Sequence, residues 1–185
     1  MMYQLHMRKL TNDELTAVYE TDMTRDFQPD ELKPLAMIQA AIKRGEYAAC
    51  GIYGDCTRVG YAFFVQLPGM QLLDCFAIQP ELRGTGIGTA FLHFLAESNH
   101  TDCLLLETED PDYITDENAK RRLYFYLRSG CRDTGVRSEI WGVRYRVLLL
   151  SGSTEHAQEV YATLYRHMLP PHFFQTKVRI RTVTK

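Results

Sequence analysis

Two nucleotide-binding signatures are missing from this sequence. No glycine is followed by lysine, so the phosphate loop Gly-x-x-x-x-Gly-Lys-Ser/Thr is excluded. The dinucleotide fingerprint Gly-x-Gly-x-x-Gly is also absent. The six histidines form no His-Glu-x-x-His and show no ligand spacing, so no metal is expected. The five cysteines are an odd number and include no Cys-x-x-Cys. Cys50, Cys75 and Cys103 fall within expected strands, which predicts buried free thiols in a reducing cytoplasm. No apolar run approaches a membrane span, and the N-terminus has no signal-peptide apolar core. A cytoplasmic protein with no membrane partner is therefore expected. A net charge of −2 gives no general electrostatic case for nucleic acid.

What remains is an ordinary globular composition, 45% hydrophobic and 24% charged over 185 residues. That is enough for one domain over 1–185, with a C-terminal helix and tail from about residue 153. Strand, turn and helix signals run in a clear order. Residues 3–9 make a first strand. Thr11 and Glu14 form a capping box that opens a helix to about Asp22. Residues 23–34 are polar with two prolines and read as a loop. A second helix places Leu35, Ile38 and Ile42 on one face and stops at Gly45. Residues 47–53 and 58–66 form a hairpin through Gly54 and Asp55. The turn Leu67-Pro68-Gly69 leads to a third strand, 72–78.

The chain is organised around that third strand and the glycine turn at its end. Pro80 ends the strand because it has no N–H for the ladder. Gly84, Gly86 and Gly88 then alternate at the start of a helix, whose apolar stripe is Ile87, Ala90, Phe91, Phe94 and Leu95. Glycines at a helix start let a ligand approach the backbone, and the free amides of the first turn can bind an anion. Residues 102–108 form a buried strand that returns parallel to the strand before that helix. A helix over 118–129 closes at Gly130. Strands over 132–136 and 143–150 pair antiparallel, and 154–168 is an amphipathic helix. Residues 177–183 are an edge strand or a loose tail.

The run Arg83-Gly84-Thr85-Gly86-Ile87-Gly88, directly after a strand closing in Ile-Gln-Pro-Glu, resembles the acetyl-CoA motif of the GNAT family of N-acetyltransferases. Tyr126-Leu127-Arg128-Ser129-Gly130 is similar to that family's Tyr-x-x-x-Gly-Phe, with Cys131 in place of the aromatic. The resemblance spans about residues 47–136 and extends to bacterial members of the family. It implies an α+β fold, an α/β/α sandwich. Its mixed, mostly antiparallel sheet would have about seven strands, with a parallel pair at the acetyl-CoA site.

The same resemblance implies the roles. Backbone amides of Phe76, Ala77 and Ile78 would face the acetyl carbonyl and pantetheine arm. Arg83, Gly84, Thr85, Gly86, Ile87, Gly88 and Thr89 would hold the pyrophosphate. Asn118 would be a further CoA contact, one residue farther from Tyr126 than the common family spacing. Tyr126 would protonate the departing thiolate. Acyl transfer also needs a base for the attacking amine. Glu109, Glu107 and Asp74 are candidates, with Glu109 preferred, and a water chain is the alternative. Glu107 and Glu109, two apart, share one strand face.

The expected activity is transfer of an acetyl group from acetyl-CoA to a primary amine of a small molecule or peptide by direct attack. A binding module that holds acyl-CoA without turnover is the rival, and an unrelated phosphate-binding α+β domain is a third reading. The acids around 22–31 favour a cationic amine. A homodimer through the C-terminal helix and tail is possible.

Overall fold

The computed structural model describes residues 4–29, 31–98, 101–113, 116–153 and 155–183. The first strand, β1, is Leu5–Lys9; Tyr3, assigned to it from sequence, lies outside the described residues. Thr11 then caps α1 (Asn12–Ala17) with the expected box. The Glu14 amide donates to the Thr11 hydroxyl at 3.3 Å, and the Thr11 amide donates to the Glu14 carboxylate at 2.8 Å.

The first helix runs further than its sequence suggests. It widens into a π-helical stretch, Val18–Met23, and finishes as α2, Thr24–Asp26. The start of the expected loop is therefore helical. Val18 and Met23 are buried in the core, and Asp22 pairs with Arg25 and Arg58. These tertiary contacts hold a turn that local propensity alone would not. The next helix, α3 (Leu35–Lys43), buries Ile38 and Ala41, and Gly45 turns the chain away at φ 76°.

Strands β2 (Tyr47–Gly54), β3 (Thr57–Leu67) and β4 (Met70–Ile78) meander antiparallel. A 3₁₀ turn, Pro80–Leu82, leads through the glycines into α4 (Ile87–Ser98). The next strand, β5 (Cys103–Glu109), lies parallel to β4. Then come α5 (Glu117–Arg128), β6 (Arg132–Ile140), β7 (Val143–Gly152), α6 (Ala157–Met168), α7 (Pro171–Lys177) and β8 (Val178–Thr182). Thr154, placed at the start of the sixth helix from sequence, is outside the described residues.

One mixed sheet of eight strands results, in the order β1-β2-β3-β4-β5-β7-β6-β8. The eighth strand is the tail, which pairs antiparallel with β6. Two apolar clusters cover the two faces. One joins α1, α3 and α6 to the sheet through Leu15, Ile38, Tyr161 and Leu164. The other joins α4 and α5 through Phe91, Leu92, Leu95 and Leu123. This is the expected α/β/α sandwich, and the C-terminal helix α6 belongs to its core. The α4 stripe differs in detail, since Leu92 is buried and Ala90 is exposed. On α5, Leu127 is 37% exposed. Ala119, Leu123 and Tyr126 fall at i, i+4 and i+7, so Tyr126 lies on the packed stripe itself.

Candidate active site

The site begins with a defect in β4. Phe63 of β3 pairs with Cys75 while the next residue, Phe64, pairs with Leu73, so Asp74 is an extra residue, a β-bulge. Pairing of β4 with β5 covers only Met70 to Leu73 against Cys103 to Leu106. Beyond that point the two strands diverge. The backbone of 75–78 facing β5 has no strand partner, and neither does the edge of 107–109 facing β4. A cleft thus opens in mid-sheet, bordered by backbone groups that require partners.

The glycine turn sits at the end of β4. Gly84 has φ 78° and Gly86 φ 90°, conformations that L side chains rarely adopt. A Cβ at either would meet nothing within 4 Å, so the space above this turn is open. At Gly88 the reason for glycine differs: a Cβ would stand 3.1 Å from Phe125 Cζ, so close packing of α4 on α5 is the constraint. The first bond of α4 runs from the Ala90 amide to the Gly86 carbonyl. Among the described residues nothing accepts from the amides of residues 84–89, among them Thr85, Ile87 and Thr89. Open space, unpartnered amides and the positive end of a helix dipole together suit a phosphate. These residues fit the pyrophosphate of CoA.

The side chains around the turn have other tasks. The Thr85 hydroxyl donates to the Leu82 carbonyl at 2.6 Å, and the Thr89 hydroxyl bonds Ser129 at 3.0 Å. Arg83, expected to hold pyrophosphate, donates instead to the Ile78 carbonyl at 2.9 Å and to Asp26 at 2.6 Å. It fastens the turn to the end of β4 and to α2. Phe76 stacks on Phe91 at 5.3 Å and on Phe125 at 6.5 Å, and Ile78 packs in the same cluster. The side chain of Ala77 packs toward the other cluster. Of these three residues, the backbone is what faces the cleft. Asn118 is exposed in the first turn of α5, with its amide bonded to Asp116. Eight residues of helix separate it from Tyr126, about 12 Å.

Tyr126 packs beside Phe125, with ring centroids 5.1 Å apart, and against the α4–α5 cluster. Its hydroxyl has no hydrogen-bond partner among the described residues. Burial, then the nearby Cys131 thiol, pushes the phenol upward, so it stays protonated at neutral pH. On β5, the buried Thr108 hydroxyl also lacks a partner. By alternation with Leu104 and Leu106 it faces the same cluster as Tyr126.

On the opposite face a polar network fills the cleft floor. The Lys33 ammonium bonds both oxygens of Asp74, at 2.7 and 2.9 Å, and the Tyr47 hydroxyl donates to Asp74 at 2.5 Å. The Asp74 side chain is only 2% exposed. Burial alone would depress Lys33, but Asp74 more than offsets it and holds the ammonium charged. On the β5 side, Glu107 accepts from the Tyr161 hydroxyl and, at 2.7 Å, from the Tyr165 hydroxyl, both on α6. Ser138 bonds Tyr161 in turn at 2.9 Å. Burial pushes the Glu107 carboxyl up and the Asp74 charge adds to this, while the two tyrosines pull the other way. A carboxyl perturbed upward and held by two tyrosines is a candidate for proton transfer.

Glu109, the preferred base from sequence, makes an ion pair with Arg122 of α5. It does not join the tyrosine network around Glu107. Lys33, Tyr47, Tyr161 and Tyr165 were not identified from sequence, because they reach the cleft from 27 to 58 residues away. The acids of the early loop are also differently placed than their local count suggested. Asp22 pairs with Arg25 and Arg58, and Asp26 with Arg25 and Arg83. Burial opposes ionisation of Asp26, but the two arginines hold its carboxyl below the usual range. Asp22 and Asp26 are thus neutralised by arginines, and Asp30 lies outside the described residues. Among the described residues no group of three or more His, Cys, Asp or Glu is arranged to hold a metal ion.

No protein-family model and no curated protein matches the sequence. Solved structures do match the fold. A protein from Bacteroides thetaiotaomicron, described as an acetyltransferase of the GNAT family, superposes with a TM-score of 0.71 at 20% identity, covering 87% of this chain and 94% of its own. Spermidine N-acetyltransferase from Vibrio cholerae, solved with CoA and spermine, gives 0.56 at 11% identity, covering 79% and 94%. The ribosomal-protein-S18-alanine N-acetyltransferase from Escherichia coli gives 0.56 at 16% identity, covering 82% and 97%. At these identities the likeness establishes a GNAT-like fold.

Proposed function

We propose that the protein is an N-acetyltransferase that uses acetyl-CoA to acetylate a primary amine of a small molecule or peptide by direct attack. The observation that carries this reading is the coincidence of two features on adjacent elements. The strands part at the Asp74 bulge, and an open glycine turn with unpartnered amides stands at the end of the same strand. Acetyl-CoA supplies an activated acetyl thioester. The amides of 84–89 would hold its pyrophosphate, and those of 76–78 its acyl end.

The chain's own groups then divide the proton work. Glu107, raised by burial, takes a proton from the attacking ammonium. Tyr161 and Tyr165 orient that carboxylate. Tyr126, protonated and unpartnered, is the donor on the other face of the cleft. Glu107 replaces Glu109 as the preferred base, because Glu109 already faces Arg122. Backbone amides on the β4 side of the cleft would align the thioester for attack, and such alignment supplies a large part of acyl-transfer acceleration.

The test has two stages. Calorimetry with CoA checks the site, and thiol release from acetyl-CoA over a panel of primary amines checks turnover. Binding without thiol release from any amine would favour the rival, an acyl-CoA-binding module. No binding at all would discard both.

A further inference from the structure

A cavity of about 390 Å3 lies outside the cleft, at the far end of the sheet. Its lining includes Arg137, Arg144, Arg179 and Arg181 against only Asp110 and Glu139. The cross-strand register explains how so many arginines meet. Arg181 of β8 stands opposite Arg137 of β6, which stands opposite Arg146 of β7. In the next row Arg179 stands opposite Glu139, and Glu139 opposite Arg144. Like charges directly opposite destabilise a sheet pair, so this arrangement carries a cost that acids must offset.

The acids present are already engaged. Asp110 is buried and faces Arg137 at 3.6 Å and Arg146 at 2.8 Å. Asp133 takes Arg137, Asp112 takes Arg146, and Glu139 takes Arg144. Arg179 donates only to the carbonyls of Gln175 and Val178, and Arg181 meets no acid among the described residues. Both are exposed on the edge strand. The groove therefore presents two guanidinium groups without an acidic partner among the described residues, a chemistry that recognises carboxylates.

Its position connects it to the cleft. Thr108 of β5, Arg146, Arg137 and Arg181 form one cross-strand row, so the groove meets the β5 wall of the cleft on the Tyr126 face of the sheet, opposite the face that carries Glu107. Tyr145, on the groove wall, is the cross-strand partner of Glu109. We infer that this groove receives the anionic part of the acceptor, so that the substrate is an amine that also carries carboxylates, in chemical class an acidic peptide. The inference rests on the acetyl-transfer reading above, and it differs from the cationic acceptor expected from the loop acids.

The test keeps binding apart from turnover. The probe is a tetraglutamate peptide with its N-terminus blocked by acetylation, titrated by calorimetry at low salt. It binds, and binding weakens as salt rises. The double variant Arg179→Ala/Arg181→Ala weakens it by about tenfold, since each exposed charge contact contributes only a few-fold. Arg44→Ala, an exposed arginine elsewhere, does not. Circular dichroism checks that both variants fold. In turnover, the ratio of kcat/KM for a free-amine glutamate peptide over a neutral peptide of equal length falls by a similar factor in the double variant. Thiol release with no preference for acidic peptides, or blocked peptide bound equally by the double variant, would overturn the groove assignment. Peptide binding that depends on the arginines, with no thiol release from any amine, would instead overturn the transfer reading.

Discussion

Tyr126→Phe separates a catalytic hydroxyl from a packing ring. The ring sits 5.1 Å from Phe125 and inside the α4–α5 cluster, and phenylalanine keeps all of that. No hydrogen bond is lost among the described residues, so the stability change should stay within about 0.5 kcal/mol. The effect on rate comes from the proton alone. A positioned acid contributes about 10²–10⁴-fold. The environment favours the low end of that range. Burial pushes the phenol up, so it gives its proton less readily than a phenol in water. The departing thiolate gains basicity from the same desolvation, which restores part of the driving force. The expected loss in kcat is about 10²-fold, or about 2.7 kcal/mol. The assay is thiol release at saturating acetyl-CoA, with single-turnover measurements to confirm that chemistry limits the rate. CoA affinity should change little, because the turn amides lie on a different helix. Tyr124→Phe is the control: Tyr124 is 65% exposed and its variant should be nearly silent. Unchanged kcat in Tyr126→Phe, with chemistry limiting, would refute the assignment.

Other variants address the remaining parts. Glu107→Gln should abolish the acidic limb of the kcat/KM profile and lower the plateau by about 10²–10³-fold; a wild-type profile in that variant would remove Glu107 as the base. Since burial raises the folded carboxyl above its unfolded value, ionising Glu107 disfavours the native state. Its contribution should therefore make wild-type stability fall as pH rises through that interval, and Glu107→Gln should flatten the fall in denaturant titrations. Gly86→Glu should weaken CoA binding by about tenfold or more, through a carboxylate at the anion position and a side chain at φ 90°. Wild-type affinity in a folded Gly86→Glu protein would reject the turn as the pyrophosphate site. Asp110→Ala should cost about 3 kcal/mol in chemical denaturation, because it leaves Arg137 and Arg146 short of a buried counter-charge. A loss below about 1 kcal/mol would mean that Asp133 and Asp112 suffice.

Features set by neighbouring residues were legible in the chain itself. The capping box at Thr11, the alternate glycines and the Tyr126–Gly130 spacing depend on contacts within a few positions, so their chemistry can be read in a short window. The parallel return of β5 follows from handedness, because a helix must bridge the two strands. Even the two unusual acids were visible, since Asp74 lies between apolar residues of β4 and Glu107 ends the apolar run of β5. What these acids do was not. Lys33 reaches Asp74 across 41 residues, and Tyr161 and Tyr165 reach Glu107 across 54 and 58. The sheet order that places β5 between β4 and β7 decides which side chains share the cleft, and no local pattern carries that order. The arginine groove is the same case. The β6–β7 hairpin brings Arg137 and Arg144 together, but Arg179 and Arg181 join them only when β8 adds to β6. Local hydrogen bonds and excluded conformations act over a few residues and are fixed by sequence; the pKa shifts and charge pairing of this site arise from long-range pairings that only the folded sheet creates.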